Sequence, residues 1–144
     1  MNLEEKSELI YDWNKLEEQP RPKNLLLDDE TLRDGLQSPS VKDPTIEQKL
    51  RLLHYMNELG IDTADIGLPG AGPRAKADVE ALAKEIAKCK LKIQANCAAR
   101  TKREDIDPVI DISQKTGVPI EVFCFLGSSI CRPAVAPPVR AHWL

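Results

Sequence analysis

An excess of basic charge is missing: 20 Lys and Arg stand against 23 Asp and Glu, a formal net charge of −3 with a pI near 5.5. That removes the electrostatic footprint of a dedicated nucleic-acid or membrane-surface binder and points to small-molecule partners. Long hydrophobic runs are missing too, and no segment approaches the roughly 20 apolar residues of a membrane span. The first residues, Met1 to Leu9, carry neither a basic leader nor the apolar stretch of a secretory signal, so the chain reads as cytoplasmic. Cysteine and histidine are sparse. Cys89, Cys97, Cys124 and Cys131 form no C-x-x-C pair and no metal-like grouping with His54 or His142, and are expected to be free thiols in packing or incidental roles. No internal sequence repeat suggests a solenoid. What is present, 42% apolar and 30% charged residues over 144 positions, suits one globular domain.

Hydrophobic spacing divides the chain. Leu9, Ile10, Trp13 and Leu16 predict an amino-terminal helix over 4–18, closed by Pro20 and Pro22. Asn24 to Asp28 reads as a strand buried on both faces, because its three leucines run on without alternation. After a polar loop, Thr45 and Gln48 have the spacing of a capping box, and Ile46, Leu50, Leu53 and Asn57 trace the buried face of a helix that ends near Gly60. Ile61 to Ile66 predicts a second strand, followed by the turn-rich run Gly67 to Pro73. Residues 74–88 predict a helix with Val79, Leu82, Ala83 and Ile86 inward, and Leu91 to Cys97 a third strand. Asp107-Pro108 marks the expected start of a helix closing at Gly117. Pro119 to Leu126 predicts the fourth strand. Strands alternating with helices imply parallel β-α units, so the fold class is α/β. Residues 130–144, with three prolines and no helical period, are expected to be irregular.

In parallel α/β folds ligands meet the carboxyl ends of the strands, where loops and helix amino termini converge. After the first strand lies Asp28-Asp29-Glu30-Thr31-Leu32-Arg33-Asp34-Gly35-Leu36-Gln37, a dense set of oxygens beside one guanidinium. Carboxylates of this kind suit a hard divalent cation, and an adjacent arginine can stabilise an oxyanion. A solvated acidic loop with a local ion pair would use the same residues. Gly35 is expected to let the backbone turn sharply. Gly67, Gly70 and Gly72 lack the spacing of a phosphate cradle, and Pro69 and Pro73 remove amides it would need, so this run reads as a turn. His54 reads as a surface or packing histidine. Lys42, Arg74, Lys76, Lys102 and Arg103 could meet coenzyme A phosphates or simply sit at solvated helix ends.

The segment Asp29-Glu-Thr-Leu-Arg-Asp-Gly-Leu-Gln37 resembles the opening signature of the metal-dependent barrel family that includes 2-isopropylmalate synthase, homocitrate synthase and hydroxymethylglutaryl-CoA lyase. Asp62 to Pro69, Asn96 to Thr101 and Phe123 to Ser129 follow in the order that family shows, so the resemblance spans residues 24–129. It implies a partial TIM barrel, the first four parallel strands with their helices, preceded by a helical extension over 1–23. The roles it implies are oxyanion stabilisation for Arg33, metal binding for Asp34, substrate binding for Gln37, and orientation for Asp65, which stands where relatives often have glutamate. Arg100, Ser128 and Ser129 would present polar groups to the acid substrate.

The stretch Leu27 to Ser40 and the Gly-Ser-Ser run look closer to the synthase branch. That branch implies condensation of acetyl-CoA with a 2-oxo acid, a divalent metal (Mg, Mn or Zn), amino-acid biosynthesis such as the leucine pathway, and homodimers among full-length relatives. A carbon–carbon lyase of the hydroxymethylglutaryl-CoA type, or a non-catalytic fragment that needs a partner chain, are the alternatives. The family completes its metal site with a His-x-His pair that these 144 residues do not contain, and a complete barrel takes roughly 250 residues. The chain therefore reads as truncated, with little or no turnover expected from it alone.

Overall fold

The computed structural model describes residues 23–125. The helix expected over 4–18, Ser128 and Ser129, and the tail 130–144 lie outside the described residues. Within them, four parallel strands alternate with three helices: β1 (Asp28–Asp29), α1 (Ile46–Leu59), β2 (Thr63–Asp65), α2 (Pro73–Cys89), β3 (Gln94–Arg100), α3 (Arg103–Thr116) and β4 (Ile120–Phe125). The sheet order is β1-β2-β3-β4, each neighbour parallel to the next. Consecutive steps in one direction with right-handed crossovers put every helix on the same face. This is the architecture of a partial eight-stranded α/β barrel.

The two faces of the sheet differ in chemistry. Ala64 and Ile66 of the second strand region, and Ala95 and Cys97 of β3, join the helix-facing core with Leu53 and Met56 of α1, Val79, Leu82, Ala83 and Ile86 of α2, and Val109 and Ile112 of α3. Small side chains on the strands let the helices approach closely while aliphatic ones on the helices fill the layer between. The alternate positions Thr63, Asp65 and Asn96 point to the other face. There Asp28 Oδ1 accepts from Asn96 Nδ2 at 2.7 Å and from the Thr63 hydroxyl, which links three strands through one carboxylate.

Local signals explain most boundaries. Thr45 accepts from the Gln48 amide and the Gln48 side chain accepts from the Thr45 amide, the reciprocal capping box expected from their spacing. Gly60 and Gly117 close α1 and α3 in the left-handed conformation. The buried face of α2 is the expected Val79, Leu82, Ala83 and Ile86. On α1 the expected face is rotated: Lys49, Leu53 and Met56 are buried rather than Ile46 and Asn57. Lys49 can go inside because its ammonium is paired with Asp78 at 2.8 Å and Asp43 at 3.2 Å, leaving its stem among apolar neighbours.

Three expectations are corrected. The first strand is not Asn24 to Asp28 buried on both faces; pairing covers only Asp28–Asp29, and Leu25, Leu26 and Leu27 are 76%, 69% and 61% exposed. Leu27 is joined to β2 through its carbonyl, which accepts from the Asp62 and Thr63 amides, but its side chain is exposed among the described residues. The third strand starts three residues later than Leu91, because α2 runs on to Cys89 and Lys90 caps it at φ 51°. The last helix starts at Arg103, not at Asp107-Pro108, so Pro108 lies inside α3. Asp105, in the first turn, fixes that start from outside the helical ladder by accepting from the Arg100 amide at 3.0 Å.

The turn Pro69–Ala71 is a single 3-10 turn, as its prolines imply, and it packs on the start of α3. A Cβ at Gly70 would lie 2.5 Å from Asp105 Oδ1 and 2.8 Å from its Cα. The Gly70→Ala variant is therefore expected to lose about 1–3 kcal/mol of stability by overpacking. Urea unfolding followed by circular dichroism checks this; an unchanged midpoint would show that the turn and α3 can separate without cost.

Candidate active site

The loop leaving β1 is organised by its backbone. The Glu30 carbonyl accepts from the Arg33 and Gly35 amides, at 3.2 and 3.0 Å, and the Thr31 amide donates to Asp29 Oδ1 at 2.8 Å. Leu32 is buried and anchors the loop in the core. The backbone turns at Gly35, as expected, but without a positive φ, and a Cβ there would find only ordinary contacts beginning at 3.7 Å. The sharp conformation falls instead at Gly67, with φ 140°, whose amide donates to Asp65 Oδ1 at 2.9 Å and where a Cβ would lie 2.7 Å from Val79.

Arg33 is the hub. Its Nε donates to Asp65 Oδ2 at 3.0 Å, its Nη1 to Asp34 Oδ1 at 3.1 Å, and its Nη2 lies 2.8 Å from Glu30 Oε2. The guanidinium is only 21% exposed while Asp65 is fully enclosed. Burial works against the charge of Arg33, but the hydrogen bond to Asp65 and the surrounding carboxylates outweigh it and raise its pKa. Burial raises Asp65, against the lowering effect of the Gly67 amide and of Arg33. Glu30 is pushed up by burial first and by the Asp65 carboxylate second, against the pull of Arg33.

A guanidinium has five N–H donors, of which one is hydrogen-bonded to Asp65 and one to Asp34, while a third lies on the nitrogen that is in ion-pair range of Glu30. The remaining two leave Arg33 able to meet a further oxygen. Arg33 and Gln37 line a cavity of about 430 Å³ together with Leu36, Ile66, Leu68 and, toward the start of α2, Arg74.

The other expected residues fall as follows. Asp34 is not among the residues lining the cavity; its side chain is 64% exposed and held by Arg33 Nη1, with no hydrogen bond to its Oδ2 among the described residues. Asp65 is in contact with Arg33 and serves to hold it. Arg100, at the end of β3, is tied to Asp105 by Nε at 2.6 Å and Nη2 at 2.7 Å and does not line the Arg33 cavity. Of the basic residues weighed for coenzyme A, Arg74 pairs with Asp43 at 2.5 Å, Lys76 with Asp111 at 3.2 Å, and Arg103 with Asp107 at 3.6 Å.

Charge is the first measure of whether a divalent cation suits this donor set. Glu30, Asp34 and Asp65 share one guanidinium, a formal excess of two negative charges that one such ion would balance. Glu30 Oε2 is buried and, although close to Arg33, has no hydrogen bond of good geometry. Exposed Asp34 and underpaired Glu30 are hard oxygen donors, so by charge and donor type they suit a hard divalent ion, although with Asp65 they do not form a converged group of three ligand atoms among the described residues.

One grouping was missed. Cys89 and His54, read as unrelated, converge with Glu85 on the outer helical layer, so the expectation of no metal-like grouping is corrected. Glu85 and Cys89 are one helical turn apart, which sequence spacing shows. The packing of α1 against α2 that delivers His54 is a tertiary fact.

Asp105 is held down to about 2 by the Arg100 guanidinium and amide. Its folded value lies below the ordinary carboxylate value of 3.8, so its contribution is complete above about pH 4 and is lost as pH falls toward 2. Asp105→Asn is expected to lower stability at neutral pH and to flatten the acid loss in that window. Urea midpoints measured at stepped pH check this; parallel curves for the two proteins would contradict it.

Comparison with known proteins gives the same placement. The HMGL-like family model matches residues 24–131. Homocitrate synthase AksA of Methanopyrus kandleri is 35% identical over 101 residues, 70% of this chain and 24% of that protein. The 2-isopropylmalate synthase of Sulfolobus acidocaldarius is 33% identical over 89 residues, 62% of this chain and 22% of that protein. The probable 2-isopropylmalate synthase of Archaeoglobus fulgidus is 39% identical over 83 residues, 58% of this chain and 16% of that protein. The chain thus spans a quarter or less of the length of these curated relatives. With the arginine-centred loop at the carboxyl end of β1 and a family match over residues 24–131, this chain belongs to the HMGL-like family.

Proposed function

We propose that the loop Glu30 to Gln37 forms part of an acyl-transfer site of the homocitrate and 2-isopropylmalate synthase type, which joins acetyl-CoA to a 2-oxo acid. The observation that carries this reading is Arg33, held by three carboxylates and facing a cavity it shares with Gln37. In such a reaction the methyl group of the thioester loses a proton, a carbon–carbon bond forms to the keto carbon, and the thioester is hydrolysed.

Each residue has a part in that proposal. Asp65, fixed by the Gly67 amide, holds Arg33 from behind, so the guanidinium is aimed before substrate arrives. The two remaining N–H groups of Arg33 would stabilise charge developing on the keto oxygen. Gln37 offers an amide to the acid substrate at the cavity wall. Asp34 and Glu30 would hold a divalent cation, Mg, Mn or Zn, which when bound supplies Lewis-acid polarisation of the 2-oxo acid. Arg100, bound to Asp105, and Ser128 and Ser129 are proposed to border the acid substrate.

The test is calorimetric titration of branched and dicarboxylic 2-oxo acids with and without Mg²⁺ or Mn²⁺. Saturable binding is expected only with metal, weakened about 10- to 100-fold by Arg33→Lys, since lysine cannot bridge three carboxylates with a planar fork. Metal-independent binding, or binding indifferent to Arg33→Lys, would overturn the reading. Product formation from acetyl-CoA, followed by mass spectrometry, is expected to stay near background, because carboxylates alone would retain the cation weakly.

A further inference from the structure

We propose that His54, Glu85 and Cys89 form a binding site for a zinc-class divalent cation that clamps α1 to α2. Nε2 of His54 lies 2.9 Å from Glu85 Oε1, Cys89 Sγ lies 3.2 Å from the same oxygen, and the three donor atoms all fall within 4.8 Å of one another. Tetrahedral zinc with Zn–N and Zn–S bonds of about 2.0–2.3 Å separates its donors by roughly 3.3–3.8 Å. The two Glu85 contacts therefore need to open by less than about 1 Å, and the His54–Cys89 separation, within 4.8 Å, to close by about 1 Å, to receive the ion.

The backbone supports that geometry. Glu85 and Cys89 are four residues apart on α2 and share a face, while His54 comes from the adjoining helix α1. Lys88 approaches the other oxygen of Glu85, Oε2, at 3.8 Å, which leaves Oε1 to the cluster. The Glu85 side chain is 19% exposed and that of His54 37%, sheltered yet open to a hydrated ion. Three protein donors leave a fourth position to water, as in open zinc sites.

Donor chemistry sets the selectivity. A thiolate and an imidazole beside one carboxylate are borderline-soft donors that favour zinc over magnesium or calcium. Binding releases the thiol proton of Cys89 and any proton on the His54 ring to buffer, with no change of oxidation state. The site also lies apart from the Arg33 loop. Cys89 ends α2 just before the chain enters β3, at the amino end of the sheet, whereas Arg33 follows the carboxyl end of β1. Its expected role is to tie two helices together, so its readout is binding and stability rather than catalysis.

The experiment is a Zn²⁺ titration by calorimetry with parallel thermal melts. One tightly bound equivalent of zinc, separate from any weaker uptake at the Asp34 and Glu30 carboxylates, and a raised melting temperature are expected, with the affinity of the tight equivalent reduced about 10- to 100-fold in Cys89→Ser and in His54→Gln. Arg33→Lys and Cys124→Ser should bind zinc as the unmodified chain does, and excess Mg²⁺ should not displace it. Should a variant fail to fold, the unmodified chain decides: zinc is expected to shield Cys89 from iodoacetamide while Cys124 stays reactive, read by peptide mass spectrometry. No saturable uptake, uptake indifferent to both Cys89→Ser and His54→Gln, or equal alkylation of Cys89 with and without zinc would each overturn the proposal and leave a simple His–Glu ion pair.

Discussion

The contact between Arg33 and buried Asp65 is the constraint on which the rest of the site depends. A carboxylate with no exposed surface must be paired, and Asp65 meets that need with the Arg33 guanidinium and the Gly67 amide. Because Asp65 belongs to β2, the pairing draws the loop after β1 over the next strand. It also requires Gly67, whose backbone conformation and closeness to Val79 exclude a side chain. Position and charge are thus set together: the arginine is held where the strands end, in a field of carboxylates that keeps it charged.

The sheet makes this possible by separating its chemistry between faces. Ala64, Ala95 and Cys97 give the helices a shallow apolar surface, and aliphatic residues of α1, α2 and α3 fill it. The other face carries Asp28, Thr63 and Asn96, joined by hydrogen bonds from strand to strand, and Asp65, which accepts from Arg33 and the Gly67 amide. The Asn96 side-chain oxygen is buried without a hydrogen bond among the described residues, so this polar layer holds acceptor capacity beyond what its own members use. A parallel sheet with one polar face departs from the doubly apolar pattern usual for such sheets, and the departure coincides with the arginine loop.

The sequence was most informative where a signal is local. The Thr45–Gln48 box, Gly60, Gly117 and the apolar stripe of α2 are each decided within a few neighbouring residues, and the strand order follows from their alternation with helices. The loop Asp29 to Gln37 was visible as a dense oxygen set, and its signature carried the family. Failures came where distant partners decide. The leucines of 25–27 imply a buried strand, yet burial depends on what lies beside them. Pro108 implies a helix start, but the bond from Asp105 to the Arg100 amide outweighs it. The grip of Arg100 on Asp105 was not visible in the residue order, and the meeting of His54 with Glu85 depends on how two helices pack. The Asp65–Arg33 pair bridges 32 positions, a separation at which no spacing rule operates.

Pro108 in the interior of α3 has a consequence for how that helix is held. Proline has no amide hydrogen, so the Glu104 carbonyl loses its partner four residues on, and the helical ladder is interrupted one turn from its start. The opening turn is retained instead by Asp105 gripping Arg100 at the end of β3. The first turn is thus tethered to the strand before it, while Val109 and Ile112 seat the rest of the helix in the hydrophobic layer, so its two ends are held by different kinds of contact.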